Sequence, residues 1–118
     1  MRKVNKNEQL KELLRLLRET AATNKAAVWK RVASDLEKPT RRRRIVNIYK
    51  IEKYAKDDEI VVVPGKVLGT GMLNKKVTVA AYNFSQEAYN KINAKGNAIS
   101  IKNLVQKNPK GEKIRLMG

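Results

Sequence analysis

Apolar residues recur every three or four positions in the first third of the chain, and this spacing predicts two amphipathic helices. The first covers residues 7–22, with Asn7 as its N-cap and Thr23 and Asn24 as the residues that break it. Its apolar side is formed by Leu10, Leu13, Leu14, Leu17 and Ala21. A basic row (Lys11, Arg15, Arg18) lies on the other side, and two interspersed glutamates favour a solvated face over a binding face.

The second predicted helix covers residues 25–37 and ends before Pro39. Its buried side is formed by Val28, Trp29, Val32, Ala33 and Leu36. Trp29 lies within this apolar stripe, which favours a core role over stacking on a base.

A run of β-branched residues, Ile60–Val63, predicts a strand that is covered on both faces, because its residues do not alternate with polar ones. Pro64 cannot donate a backbone hydrogen bond and is expected to end the strand. Gly65, Gly69 and Gly71 follow, and together with Lys66 they indicate a cationic loop. Glycines let the backbone take positive φ and approach a ligand closely, so this loop is a candidate mount for anion contacts.

The second half of the chain repeats one local pattern, in which a short apolar strand is followed by a helix-capping residue. Asn47, Ser85 and Ser100 are the predicted caps, and the last of five strands is expected at residues 114–117. The helix after Ser85 is expected to bury Ala88, Tyr89 and Ile92. The repetition predicts strand–helix layers stacked along one core.

The net charge of the chain says more about its binding partner than any motif does. The chain of 118 residues has 27 lysines and arginines against 11 acids, no histidine and a formal net charge of +16. Self-repulsion on this scale opposes a compact state, so a polyanionic partner is expected. No apolar run approaches the roughly 20 residues that span a bilayer, and the basic start leads into no signal-peptide segment. We therefore expect an intracellular protein without a membrane partner.

The densest charge lies in Arg41–Arg44, directly after Thr40. Four adjacent arginines repel one another when free, and their planar guanidinium groups suit phosphates. A solvated linker and a localisation signal are the alternatives. Residues 1–6 are likewise read as a basic arm that orders on a partner, or as a frayed start without a role.

Catalytic signatures are missing from the sequence. The glycines at 65–71 fail the phosphate-binding and dinucleotide-binding patterns, and there is no histidine or cysteine to act as a base, nucleophile or thiolate ligand. Asp57–Glu59 could suggest a metal site, but a solvated acidic turn is favoured because no further ligand pattern supports it. We expect no enzymatic activity, no cofactor, no metal and no small-molecule substrate.

Several segments occur here in the order found in one known family. They are Lys38–Arg41, Val46–Ile48, Val61–Gly71, Lys76–Ala81 and Asn108–Gly111. The chain thereby resembles the archaeal and eukaryotic large-subunit ribosomal protein eighteen-e, in its short archaeal form. That family is similar in fold to the bacterial large-subunit ribosomal protein fifteen.

The resemblance implies an α+β fold with N-terminal helices followed by an irregular repeated β-β-α layered core. We expect residues 1–6 to form the arm and 7–118 a single domain, with a helical part and basic linker at 7–44 and the repeat core at 45–118. It also implies a non-enzymatic constituent of the large ribosomal subunit in the cytoplasm. The expected partners are large-subunit ribosomal RNA and neighbouring ribosomal proteins, without obligate homo-oligomerisation. A free-standing nucleic-acid architectural protein is the alternative.

The candidate RNA contacts share a cationic or hydroxyl side chain in a loop, a helix end or the arginine run. They are Arg2, Lys3, Lys25, Lys38, Thr40, Arg41, Arg42, Arg43, Arg44, Lys66, Thr70, Lys75, Lys76, Lys107 and Lys110. For Lys66 the alternative is a buried ion pair with the turn at Asp57–Glu59.

Overall fold

The computed structural model describes residues 6–39 and 43–118. Within them the chain forms five helices and five strands in the order ααβαββαβαβ. The helices are α1 (Lys6–Asn24), α2 (Ala27–Glu37), α3 (Ile48–Tyr54), α4 (Gln86–Asn93) and α5 (Ile101–Lys107). The strands are β1 (Arg44–Asn47), β2 (Ile60–Leu68), β3 (Thr78–Phe84), β4 (Asn97–Ser100) and β5 (Ile114–Leu116). The predicted α+β architecture, with N-terminal helices ahead of strand–helix units, is confirmed.

The strands form one sheet in the order β1-β2-β3-β4, and β5 also pairs with β2. Every pairing is parallel. Because β3 lies along one edge of β2, β1 and β5 must share the other edge. β5 pairs with Ile60–Val62, and β1 pairs with Gly65–Leu68. β2 is therefore the strand around which the sheet is assembled.

Helices cover the two faces of the sheet and give two apolar clusters. Val61 and Val63 of β2 belong to the cluster beneath α3 and α4, whereas Val62 belongs to the cluster beneath α1, α2 and α5. All three valines are fully buried. This confirms the prediction that the run at Ile60–Val63 is covered on both faces.

Pro64 does not end the strand as predicted, since β2 continues to Leu68. The register with β3 shifts between Val63 and Lys66, so the proline lies at an irregularity in the ladder. It also lies between the segment paired with β5 and the segment paired with β1. A proline is tolerated at such a place because no regular ladder bond is lost there.

The predicted serine caps are confirmed. Ser85 Oγ accepts a hydrogen bond from the backbone N–H of Ala88 at 3.2 Å, and Ser100 Oγ accepts one from Asn103 at 3.1 Å. Asn47 occupies the predicted N-cap position of α3, but its side chain makes no capping hydrogen bond. Tyr89 was expected to be buried and is instead 45% exposed.

The two N-terminal helices pack on the cluster that contains Val62. α1 is longer than predicted at both ends, so Asn7 lies within the helix instead of capping it. Trp29 is fully buried and its Nε1–H donates to the backbone carbonyl of Pro109 at 2.9 Å. This confirms its core role. Within the described residues no helix combines the length and the apolar composition needed to cross a membrane.

Candidate nucleic-acid interface

Arg43 and Arg44, the described part of the arginine run, contact α2 and β3. Arg43 Nε donates to the carbonyl of Leu36 at 3.2 Å, and its guanidinium lies 5.2 Å from the centre of the Tyr82 ring. Arg44 Nε lies 3.2 Å from an oxygen of Asp35. The last two residues of the run are thus anchored on the end of α2 and on the sheet.

Asp35 is the buried acid of this junction, with 6% of its surface exposed. Its second oxygen lies 3.1 Å from Lys38 Nζ, so two cations share one carboxylate. The junction keeps a net positive charge where the chain enters residues 40–42. Five of the predicted contacts, Arg2, Lys3, Thr40, Arg41 and Arg42, lie outside the described residues.

The glycine-containing segment after β2 is bound by a lysine of α4, which the sequence pattern does not single out. Lys91 Nζ donates to the carbonyls of Gly69 and Gly71, each at 2.7 Å, and lies 2.9 Å from Glu87 Oε1. The N–H of Tyr49 donates to the carbonyl of Thr70 at 3.0 Å. The spacing of Glu87 and Lys91 predicts a helical ion pair, but nothing local predicts the two glycine carbonyls.

Of the three glycines expected to allow positive φ, only Gly71 adopts it, at φ 111°. At positions 65 and 69, glycine is required because neighbouring atoms leave no room for a side chain. A Cβ on Gly65 would lie 1.9 Å from the carbonyl oxygen of Arg44, and one on Gly69 would lie 2.6 Å from the Glu87 side chain.

Lys75 uses its charge within the fold. Its Nζ donates to the carbonyls of Glu52 and Ala55 at 2.6 and 2.7 Å, which satisfies the C-terminal end of α3. In return, the Glu52 carboxylate accepts from the backbone N–H groups of Asn74 and Lys75. These contacts give Lys75 a structural role and leave it poorly placed to reach a phosphate.

The acidic turn is occupied by cations other than Lys66. Glu59 forms an ion pair with Arg115, and the hydrogen bond from that guanidinium holds the pKa of Glu59 below its usual value. Lys76 contacts the other two acids, since its backbone N–H donates to Asp57 at 3.0 Å and its ammonium lies 4.0 Å from Asp58. Within the described residues no group of acids is arranged to hold a metal ion. The alternative of a buried ion pair for Lys66 is therefore wrong: Lys66 is exposed near the far end of β2.

The remaining predicted contact residues, five lysines and Thr70, are exposed and fall into two groups. Lys66 and Thr70 lie at the carboxyl end of the sheet, on and just after β2. At the amino end, Lys107 is the last residue of α5, Lys110 lies between α5 and β5, and Lys76 lies two residues before β3.

Lys25 joins the amino-end group through packing. It occupies the turn before α2 with φ 52°. Gly111, which closes the turn after α5, packs directly against Val28 and Trp29 of α2. Eight residue steps along β2 put the two ends of the sheet about 26 Å apart. The structure thus does not bring all the predicted contacts to one surface.

Comparison with known proteins agrees with the segments quoted above. The sequence model of the family described as ribosomal protein 60S L18 and 50S L18e matches residues 2–118. The large ribosomal subunit protein eL18 of Archaeoglobus fulgidus is 52% identical over 118 residues, covering 99% of each chain. The eL18 proteins of Haloarcula marismortui and Methanospirillum hungatei are 47% and 46% identical over 94% of this chain, and over 96% and 93% of their own lengths. The chain therefore belongs to the family of ribosomal protein 60S L18 and 50S L18e.

Proposed function

We propose that this protein is a structural constituent of the large ribosomal subunit in the cytoplasm, where it binds and stabilises folded large-subunit ribosomal RNA. Its relatives are named as large-subunit proteins, and membership of a ribosomal protein family agrees with the expectation that it is not an enzyme. Neighbouring ribosomal proteins are further proposed partners, without obligate homo-oligomerisation. Residues 7–118 are proposed to act as one domain, with residues 1–6 as an arm on the RNA.

The observation that carries this proposal is the set of exposed cations without an acidic partner. Among the described residues, the ammonium groups of Lys25, Lys66, Lys107 and Lys110 have no ion pair or hydrogen bond. A protein with a net charge of +16 that leaves these groups free gains most from a polyanion.

The two groups of exposed contact residues suggest how the RNA would be held. They lie about 26 Å apart along β2, so each group can contact a different stretch of RNA. Two RNA segments, one at each end of the sheet, would be tied together by the rigid core. The carboxyl-end group is Lys66 and Thr70, and the amino-end group is Lys25, Lys76, Lys107 and Lys110. The arginine run at Arg41–Arg44 supplies further phosphate contacts, with Arg43, Arg44 and Lys38 fixing where it starts and ends.

The salt dependence of RNA binding tests the contact residues. Replacing Arg41 and Arg42 with Gln should lower affinity for large-subunit RNA and flatten the plot of log K against log[salt] by about 1.4 to 1.8 units, since each lost phosphate contact removes about 0.7 to 0.9. Lys30 and Arg31 are exposed cations of α2 outside the proposed set, and replacing both with Gln is the matched control. An equal effect in both variants would show that total charge, not these contacts, governs binding.

The place of action is tested separately. Native protein should sediment with the large subunit in a sucrose gradient. A free-standing architectural protein would instead sediment outside the subunit and would bind duplex DNA as tightly as ribosomal RNA.

A further inference from the structure

Three neighbouring strands expose one side chain each in a row across the sheet. Ile45 of β1 is in register with Lys66 of β2, and Lys66 is in register with Asn83 of β3. Residues paired in this way point to the same face of a sheet, and all three are exposed. The next residues in register are Val46, Val67 and Phe84, and all three pack against the cluster on the opposite face, so the alternation holds beyond the register shift between Val63 and Lys66. Ile45, Lys66 and Asn83 are here called the open sheet face.

The open sheet face continues a surface that is covered elsewhere. Val62 of β2 and Ala80 of β3 lie on the side packed beneath α1, α2 and α5 and are fully buried. Beyond them, towards the carboxyl ends of the strands, this cover ends. Ile45 is 62% exposed there. A single exposed isoleucine is common on protein surfaces and does not by itself mark a binding site. The residues in register with it make this surface distinctive.

Those neighbours are polar, and the electrostatic setting is positive. β1, β2 and β3 contain no acidic residue. Lys66 has no ion-pair or hydrogen-bond partner among the described residues. Arg43, two residues before Ile45, adds a second cation where it lies over the ring of Tyr82. An apolar side chain, a free ammonium and a free amide thus lie side by side, with nothing acidic on their strands.

We propose that the open sheet face binds one unpaired nucleotide of large-subunit ribosomal RNA. Ile45 packs on the face of the base, the Asn83 amide bonds to a base edge, and Lys66 binds the adjoining phosphate. Two strand spacings, about 10 Å, separate the outer two residues, so one nucleotide can contact all three side chains. This proposal rests on the proposed function and adds the kind of RNA that is recognised at this surface.

An unpaired nucleotide fits better than an RNA duplex because of the isoleucine. A duplex presents phosphates and 2′-hydroxyl groups while its base faces stay stacked, so it could satisfy Lys66 and Asn83 but would leave Ile45 without an apolar partner. Unpaired bases offer both an apolar face and free hydrogen-bonding edges.

The test uses uncharged substitutions, because they separate base contact from phosphate contact. Full-length protein is titrated with large-subunit ribosomal RNA of Archaeoglobus fulgidus at several salt concentrations. The double variant Ile45→Thr, Asn83→Ala keeps a β-branched residue in β1 and every charge. It should bind about tenfold more weakly, as expected for one lost hydrogen bond and the lost burial of about one methylene group, with an unchanged salt slope. Lys66→Gln should weaken binding and flatten the slope by about 0.7 to 0.9.

Tyr54→Ser is the matched control, because Tyr54 is 51% exposed at the end of α3, next to the acidic turn. It should bind within about twofold of the wild type. If the wild type binds and the double variant binds equally well, the open sheet face is not a nucleotide site, although the proposed function stands. If the wild type does not bind, the proposed function itself fails.

A second measurement does not depend on how the variants fold. A benzophenone amino acid placed at position 45 of the protein in assembled large subunits should crosslink to RNA on illumination, at a nucleotide that is unpaired in the subunit. Crosslinking to a ribosomal protein, or to a nucleotide within a duplex, would overturn the proposal.

Discussion

Lys91 is predicted to stabilise the fold through its charge, and the substitution Lys91→Met tests this. Methionine keeps most of the length and apolar character of the side chain but donates no hydrogen bond. The carbonyls of Gly69 and Gly71 would lose their partner, and the ion pair with Glu87 would be broken. The segment after β2 would keep the hydrogen bond from the Tyr49 N–H to the carbonyl of Thr70 but lose both side-chain contacts from Lys91.

The size of the effect follows from the exposure of each contact. A hydrogen bond to a charged group contributes about 1.5 to 3 kcal/mol when shielded, but the Lys91 side chain is 33% exposed. We therefore expect about 1 kcal/mol for each carbonyl. Glu87 is 65% exposed, so its helical ion pair contributes only about 0.3 to 0.5 kcal/mol. The sum is a loss of about 2 kcal/mol in the free energy of unfolding.

Removing a cation from a protein of charge +16 also relieves self-repulsion, and a control must account for this. Lys95→Met removes the same charge from a neighbouring lysine, whose contact with the carbonyl of Asn74 is exposed and long, at 3.4 Å. Urea unfolding of both variants, extrapolated to zero denaturant, gives the comparison. A difference between them below about 0.5 kcal/mol, the usual size of a surface substitution, would refute the structural role assigned to Lys91.

Three further substitutions have outcomes that the structure fixes. Gly65→Ala places a methyl group against the carbonyl oxygen of Arg44, so β1 must move away from β2; thermal unfolding should show a loss of about 3 kcal/mol or more, and wild-type stability would contradict the pairing. The pKa of Glu59 is lowered in the folded state by Arg115, so its contribution is present above its unfolded pKa and is lost as the pH falls through the lower folded value. Glu59→Gln should therefore reduce the loss of stability between neutral and acidic pH, and an unchanged pH profile of urea unfolding would count against the ion pair. Ser85→Ala removes the cap of α4 and should cost about 1 kcal/mol; a urea midpoint equal to that of the wild type would show that the cap contributes nothing.

The parts of the fold that the sequence predicted well are those encoded locally. Ser85 and Ser100 act within three residues of themselves, so a strand–cap–helix pattern suffices to place α4 and α5. The valines at 61–63 likewise predict a strand buried on both faces, because no polar residue alternates with them.

The parts that were missed depend on partners distant in the chain. Pro64 is tolerated because β2 changes its edge partner from β5 to β1 at that point. β5 begins fifty residues later, so nothing near the proline reveals this. Gly65 is required by the carbonyl of Arg44 on the neighbouring strand, and not by its own backbone angles.

The cations of this protein divide into those that bind other parts of the chain and those that stay exposed. Lys75 and Lys91 bind backbone carbonyls, Arg115 binds Glu59, and Arg44 and Lys38 share Asp35. These cations make contacts within the fold, and their hydrogen-bonding groups are therefore partly occupied before RNA binds. Counting lysines and arginines would therefore overestimate the number of phosphate contacts and the steepness of the salt dependence. Under the proposed function, RNA would contact the arginine run and the smaller set of cations that the fold leaves exposed at the two ends of the sheet. This division of roles follows from the folded structure, because composition counts both kinds of cation alike.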